Sequence, residues 1–559
     1  MLREPHLASQ TSVTTQTPLV PSDPVPPDPA LTDRPALTDP PALPAVSGGR
    51  PACGTQWSGR IHHLLDHWVA HAPDRPFIHL SDGRILTFAD LDALTTQAEA
   101  ELRARRVRPG DRVMVVAENC PQHAALILAC SRVGAWSCGV NARMAPGEVD
   151  TFVTRADARI VYFTAEASDA AAAHARRFGA TPSAVPGLAH GAVREDAVPE
   201  DAPLRDQVAS LIFTSGTTGL PKGVMLTHDA LIHFARVTRQ ARAMDANDRL
   251  YAFVPMTHIF GLGTVLLSAL LAGAQLVMRP QFDPDDLLHA LGHHGISQLQ
   301  GPPTLFSRLL THLQARGIHK PVAPALRYLY TGAGPLDLSL KQRVEAAFGL
   351  ALHHGYGLSE YAGSVHVTRL GEHRPDTSAG YAVAEAEVCV VDPLTGRTLP
   401  AGERGELWLR GRGLMPGYFR DAAATLAVMR EGGWYASGDL GEIHADGALF
   451  VVGRLKEMII RSGFNVYPAE VENAINTHPS IQRSAVVGTP ERDGNEAIVA
   501  FVELRPGAQL EESALQHHLR DRLAPYKRPA RIVALAELPT NHNGKVLKRV
   551  LQEQAGAMA

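Results

Sequence analysis

The segment Thr214 to Val224, TSGTTGLPKGV, is where residue types and spacing most plainly suit chemistry. Gly216, Gly219 and Gly223 leave backbone N–H groups open. Thr214, Ser215, Thr217 and Thr218 add hydroxyl donors, and Lys222 adds charge, so the run can surround phosphate oxygens. A Walker-type loop needs Gly-Lys followed by Ser or Thr, whereas here Lys222 is followed by Gly223, and that reading fails on spacing. Further along stand Glu360 in HHGYGLSE, Asp439 in WYASGD, Arg454 and Lys456 in GRLKE, and Lys545 in NGKVLKR. Taken singly, Glu360 is most often a solvated charge or helix cap, Asp439 a turn former after Gly438, and Lys545 a solvated charge. His258, in PMTHIFGL, is by itself most often a core histidine. The doublets His293-His294, His353-His354 and His517-His518 lack the spacing of a zinc motif and are read as surface or capping residues.

These residues must be held by elements, and the pattern supplies them. The phosphate-loop candidate follows a strand (209–215). Other strand candidates, 112–119, 249–255, 274–280 and 325–332, precede helical stretches, and helices are expected over 88–105 and 124–133. A hairpin is expected in FIHLSDGRILTF (77–88). After about residue 385 short strands with Gly and Pro turns take over. The expected fold is a multi-layer α/β domain over 56–453, β-rich from about 385 to 453. A hinge at 454–457 leads to a small mobile α+β domain over 458–559. Residues 1–55 are rich in Pro, Thr, Ser and Asp and repeat PALTD, a composition with too few large apolar groups to fold.

Composition bounds the function classes. A net charge of -4 gives no electrostatic reason to expect nucleic acid as partner. Five scattered cysteines without a CxxC pair suit a reduced, cytoplasmic protein. Apolar runs such as 264–271 fall short of the roughly 20 residues needed to span a bilayer, so no integral membrane segment is expected.

With the glycine run, five further segments stand in one order along the chain: PMTHIFGL, GYGLSE, WYASGD, GRLKEMIIRSGFNVYPAEVE and PTNHNGKVLKR. Together they resemble the adenylate-forming (AMP-binding) superfamily, of acyl-CoA synthetase and aryl-CoA ligase type. The resemblance covers roughly residues 60 to 550 and implies two steps. A carboxylic acid, fatty or aryl, attacks the α-phosphate of ATP to give acyl-AMP and pyrophosphate, and the thiol of coenzyme A then displaces AMP. Transfer of the acyl group to a separate carrier protein is the alternative.

Residue by residue, the resemblance implies Mg²⁺ on Glu360 and Thr217, and ATP held by Thr214 to Gly219, Lys222, Gly355, Tyr356, Gly357 and Ser359. Asp439 would meet the ribose and Arg454 the ribose or a phosphate, with Tyr356 on the adenine. Lys545 would stabilise charge at the α-phosphate. Lys456 matches the hinge, and Ser462 and Gly463 the coenzyme A channel. His258, Phe260, Gly332, Ala333 and Tyr361 would line an acid pocket, in whose candidate segments no Arg or Lys is evident to pair a second carboxylate. Ser359 stands where Thr is usual, which keeps the hydroxyl. His354 replaces a frequent Gln, and NHN precedes Gly544 where Thr, Ala or Arg are usual.

Overall fold

The computed structural model describes residues 59–214, 221–461, 464–491, 495–540 and 545–558. The Pro-rich segment expected over 1–55 lies outside them, as do Ser215, Gly216, Thr217, Thr218, Gly219, Ser462 and Gly463.

Two mixed sheets form the body. In the nine-stranded sheet, Pro76–His79, Gln275–Met278, Arg249–Ala252, Gln298–Gly301, Tyr328–Thr331 and Leu352–Leu358 run parallel in that spatial order. Antiparallel strands close its two edges: Ile85–Thr87, the return of the expected hairpin, and Gly363–Val367 with Tyr381–Ala382. In the seven-stranded sheet Arg112–Ala117 and Trp136–Asn141 are parallel and fully or nearly buried, as expected of strands covered on both faces. The helices Phe88–Ala104 and Pro121–Val133 follow the sequence expectation within a few residues.

From Ala386 the chain builds an antiparallel sheet whose strands include Gly405–Gly411, Trp434–Ile443 and Leu449–Arg454. Beyond the short turn Leu455–Glu457, a separate core forms around Val471, Ile475, Val486, Ile498 and Leu515, inside the strands Ile481–Pro490, Glu496–Leu504 and Arg531–Leu535 and their helices.

One packing contact ties three of the sequence segments together. The glycine run returns along Lys222–Thr227, whose last residue caps the helix His228–Ala241 by accepting a hydrogen bond from the Ala230 N–H at 3.0 Å. Phe234 of that helix is buried against two glycines. A Cβ on Gly263, in the π-helical turn Phe260–Leu267, would lie 2.4 Å from its ring, and one on Gly363 would lie 2.3 Å away. Gly363 also has φ +137, a conformation that L side chains rarely adopt. Gly363→Ala is therefore expected to destabilise the protein by about 2 kcal/mol or more through overpacking and backbone strain. A lower urea midpoint with unchanged slope is the expected reading.

Candidate active site

The described flanks of the phosphate-loop candidate face each other. Thr214 and Lys222 are paired across the hairpin Val208–Thr214/Lys222–Thr227. The Lys222 ammonium lies 4.9 Å from the centre of the Tyr418 ring. The Tyr418 hydroxyl donates to Glu360 Oε1 at 2.9 Å and stands 3.3 Å from the Tyr435 hydroxyl. Backbone bonds fix this segment in place: Met415 N–H donates to the Glu360 carbonyl at 2.8 Å, and Phe419 N–H to the Gly223 carbonyl at 2.7 Å. Burial pushes the Glu360 carboxyl pKa up, against the opposing Tyr418 hydrogen bond. The same burial, followed by the Glu360 charge, pushes the Tyr418 and Tyr435 phenols up.

Tyr356 and Asp439 meet directly. The Tyr356 hydroxyl donates to Asp439 Oδ2 at 2.7 Å, and Arg454 Nε donates to Oδ1 at 3.0 Å. Asp439 and Arg454 are themselves cross-strand partners. Each carboxylate oxygen has a second lone pair, so Asp439 can accept further donors without losing either bond. Gly357 allows close passage of the chain here, since a Cβ on it would sit 2.3 Å from the Gly363 carbonyl oxygen. Ser359 is buried in the turn before Glu360.

Lys545 of the C-terminal domain stands in the field of Arg454, Glu457, Asp439 and Lys456. Its side chain keeps exposed surface, but the protein crowded about the ammonium and then the charge of Arg454 lower its pKa to about 8, while Glu457 and Asp439 oppose the shift. Three residues on, Lys548 is anchored by Glu472 at 2.8 Å and Glu457 at 3.4 Å, which ties the Lys545 segment to the turn holding Lys456.

His258 is half-buried; its Nδ1 accepts from the Phe260 N–H at 3.2 Å. It borders a cavity of about 30 Å³ shared with Gly139, Phe152 and Phe213, the last being the neighbour of Thr214. Phe260 meets the Tyr330 ring edge-to-face at 5.9 Å. Cβ atoms on Gly332 and Gly355 would lie 3.0 and 2.5 Å from the Tyr330 hydroxyl, so both approach that phenol closely. Ala333 adopts a left-handed φ of 63. Tyr361 packs on Gly411 and Gly413, its hydroxyl donating to the Glu385 carbonyl at 3.3 Å. His354 is buried, with Nδ1 3.1 Å from the Thr377 carbonyl, and burial lowers its pKa.

The fold thus gathers Phe260, Gly332 and Gly355 around Tyr330, with His258 bonded to the Phe260 N–H, and Glu360, Lys222, Tyr356, Asp439, Arg454 and Lys545 in a connected polar group. Sequence reasoning missed Tyr418, Tyr435 and Tyr330. Tyr435 lies inside WYASGD, and Tyr418 follows a Pro-Gly turn, a signal for a shaped loop but not for its partner.

Residues 65–419 match the AMP-binding enzyme family, and residues 470–545 match the AMP-binding enzyme C-terminal domain. The chain belongs to the AMP-binding enzyme family. It is 34% identical over 477 residues to a feruloyl-CoA synthase of an Amycolatopsis species, covering 85% of this chain and 95% of that one. It is 32% identical over 518 residues to 4-coumarate–CoA ligase 2 of Solanum tuberosum, covering 89% and 94%. ATP-bound MatB from Rhodopseudomonas palustris superposes with a TM-score of 0.79 at 29% identity, over 89% of this chain and 100% of that one.

The lowered Lys545 pKa has a sign that can be tested. The lysine carries its charge below about pH 8 and loses it as pH rises through that value. If the ammonium serves the first step, kcat/KM for pyrophosphate release falls above about pH 8. Lys545→Arg, charged throughout, is expected to move that descending limb upward.

Proposed function

We propose that this chain is an ATP-dependent acid–coenzyme A ligase whose acid is an aryl monocarboxylate of the arylacrylic kind. The family and the relatives carry the ligase class. The choice of an aryl over a fatty acid draws on the relatives, whose names give feruloyl and 4-coumarate as their acyl groups. They also name coenzyme A as acceptor, and no observation favours a carrier protein.

The observation that carries the mechanism is the convergence of Lys545, Arg454, Asp439 and Tyr356 from both sides of the turn 455–457. Asp439 would accept from the ribose hydroxyls beside Tyr356, with Arg454 holding the carboxylate's orientation. Adenine would lie along the Gly355–Gly357 strand. The glycine run and Lys222 would hold the phosphates. Glu360 suits a hard divalent cation: the residue is half-buried, its described hydrogen-bond partner is the neutral Tyr418, and crowding by the protein raises its pKa. It would hold Mg²⁺ together with Thr217, and the ion would neutralise charge on the ATP phosphates.

Lys545 would place its charge where the acid's oxygen attacks the α-phosphate, a step that needs positioning and neutralisation more than covalent chemistry. For the second step the C-terminal domain would turn about Lys456, withdrawing Lys545 and bringing Ser462 and Gly463 to the coenzyme A thiol. His258, Phe260, Gly332, Ala333 and Tyr361 would surround the acid. A reduced, cytoplasmic setting fits the unpaired cysteines, and among the described residues no helix is long and apolar enough to cross a membrane.

The test is AMP and pyrophosphate release by purified protein over fatty and aryl acids, with and without coenzyme A. AMP release that requires an aryl acid and coenzyme A is expected. In Lys545→Ala, acyl-AMP formation should fall by about 10²-fold or more, while thioester formation from supplied acyl-AMP should change far less. Release that ignores coenzyme A would count against the ligase, and equal use of fatty acids against the acid class.

A further inference from the structure

Lys222 and Glu360 reach the site from different sheets. Lys222 opens the strand Lys222–Thr227 of the seven-stranded sheet, and Glu360 lies in the short turn Ser359–Tyr361 that follows Leu352–Leu358 of the nine-stranded sheet. One side chain touches both. The Tyr418 ring carries the Lys222 ammonium 4.9 Å from its centre, and its hydroxyl lies 2.9 Å from Glu360 Oε1. A phenol offers a cation its ring face and an acceptor its proton, so the two contacts do not compete.

The position of that phenol is set by the chain around it. Tyr418 pairs with Val224 in an antiparallel bridge, the Met225 N–H donates to the Gly417 carbonyl at 3.3 Å, and the Tyr418 N–H donates to Thr425 Oγ1 at 3.0 Å. Phe419, 4% exposed, sits in the core with Leu211 and Met225 and meets Trp136 edge-to-face at 5.8 Å. Arg420 then donates to Glu200 Oε1 at 2.9 Å and to Asp157 Oδ2 at 3.0 Å. The chain is fastened on both sides of Tyr418, so its side chain is in place before any ligand arrives.

The hydrogen bonds also have a direction. A carboxylate only accepts, so the one Tyr418 proton goes to Glu360, and Tyr435, whose hydroxyl is 3.3 Å away, must donate to Tyr418. Chained donors polarise one another, which strengthens the bond that ends on Oε1. We propose that Tyr418, backed by Tyr435, is a positioning residue of the ATP site: its hydroxyl engages Oε1 of Glu360 and leaves Oε2 to the cation, while its ring keeps the Lys222 ammonium beside phosphates that the cation also meets. Magnesium and ATP then bind as a coupled pair. This rests on the ligase reading above and adds to it a residue outside the segments that carry the family resemblance.

The experiment measures ATP affinity by calorimetry, in excess Mg²⁺ and in EDTA, for the wild type, Tyr418→Phe, Tyr418→Leu and Tyr435→Phe. The wild type is expected to bind more tightly with Mg²⁺. Tyr418→Phe keeps the ring but loses the donor, so it should lose most of that advantage, a fall of about 10-fold, while its affinity in EDTA holds. Tyr418→Leu, which also loses the ring, should in addition weaken binding in EDTA by about 3-fold. A purely structural role would weaken both affinities by one factor and leave their ratio alone. Should Tyr418→Phe fail to fold, Tyr435→Phe carries the comparison, its Mg²⁺ advantage shrinking by a smaller factor. The proposal is overturned if Tyr418→Phe, or Tyr435→Phe in its place, keeps the wild-type ratio, or if Tyr418→Leu binds ATP in EDTA as the wild type does. A wild type that binds no ATP in either buffer would instead reject the ligase reading, and one whose affinity ignores Mg²⁺ would reject Glu360 as cation ligand.

Discussion

The Asp439 carboxylate is the constraint on which the active-site arrangement turns. It receives Tyr356 from the large parallel sheet on one oxygen and Arg454, the last residue of the β-rich sheet before the turn, on the other. A carboxylate satisfied on both oxygens by donors from two separate sheets fixes their mutual placement to within hydrogen-bond tolerance. The charge-assisted bond from Arg454 is the stronger kind. Because that arginine borders the turn, the geometry reaches into the C-terminal domain, where Lys548 grips Glu457 and sets Lys545 nearby.

A second, apolar constraint works beneath it. Phe234 fills the space left by two residues without Cβ atoms, one in the π-helical turn after His258 and one in the strand after Glu360. Cores are packed too tightly to give way by a methyl group without strain. The capped helix that carries Phe234 therefore registers the strand Lys222–Thr227, the His258 segment and the Glu360 turn against one another. At its far end the same helix delivers Arg242, so a single element reaches from the strand Lys222–Thr227 to the Tyr330 ring.

Much of the fold was legible from sequence. Strand-then-helix alternation announced the layered sheets, and the change of texture near residue 385 marked the antiparallel subdomain that starts at Ala386. Strand ends were overrun: the expected 249–255 is a strand only to Ala252, because Asn119 takes the backbone of Val254 and Met256 into a turn instead. The π-helical Phe260–Leu267 was not expected. Its uniformly apolar FGLGTVLL carries no periodicity from which a helix type could be read.

The reactive residue types and their order were legible before any fold was known, because a glycine run, a Gly-Tyr-Gly-bounded carboxylate and a Gly-Lys near the C-terminus are local patterns. Which side chains touch came from folding: Tyr356 on Asp439, Tyr418 on Glu360, and Arg242 over the Tyr330 ring. These pairs lie tens of residues apart, and no local spacing encodes a meeting that sheet register and core packing bring about. Arg242 stood outside every segment that the sequence suggested for the acid pocket, so nothing local tied it to Tyr330. Folding stacks it against Tyr330 and buries it without a carboxylate to pair its charge.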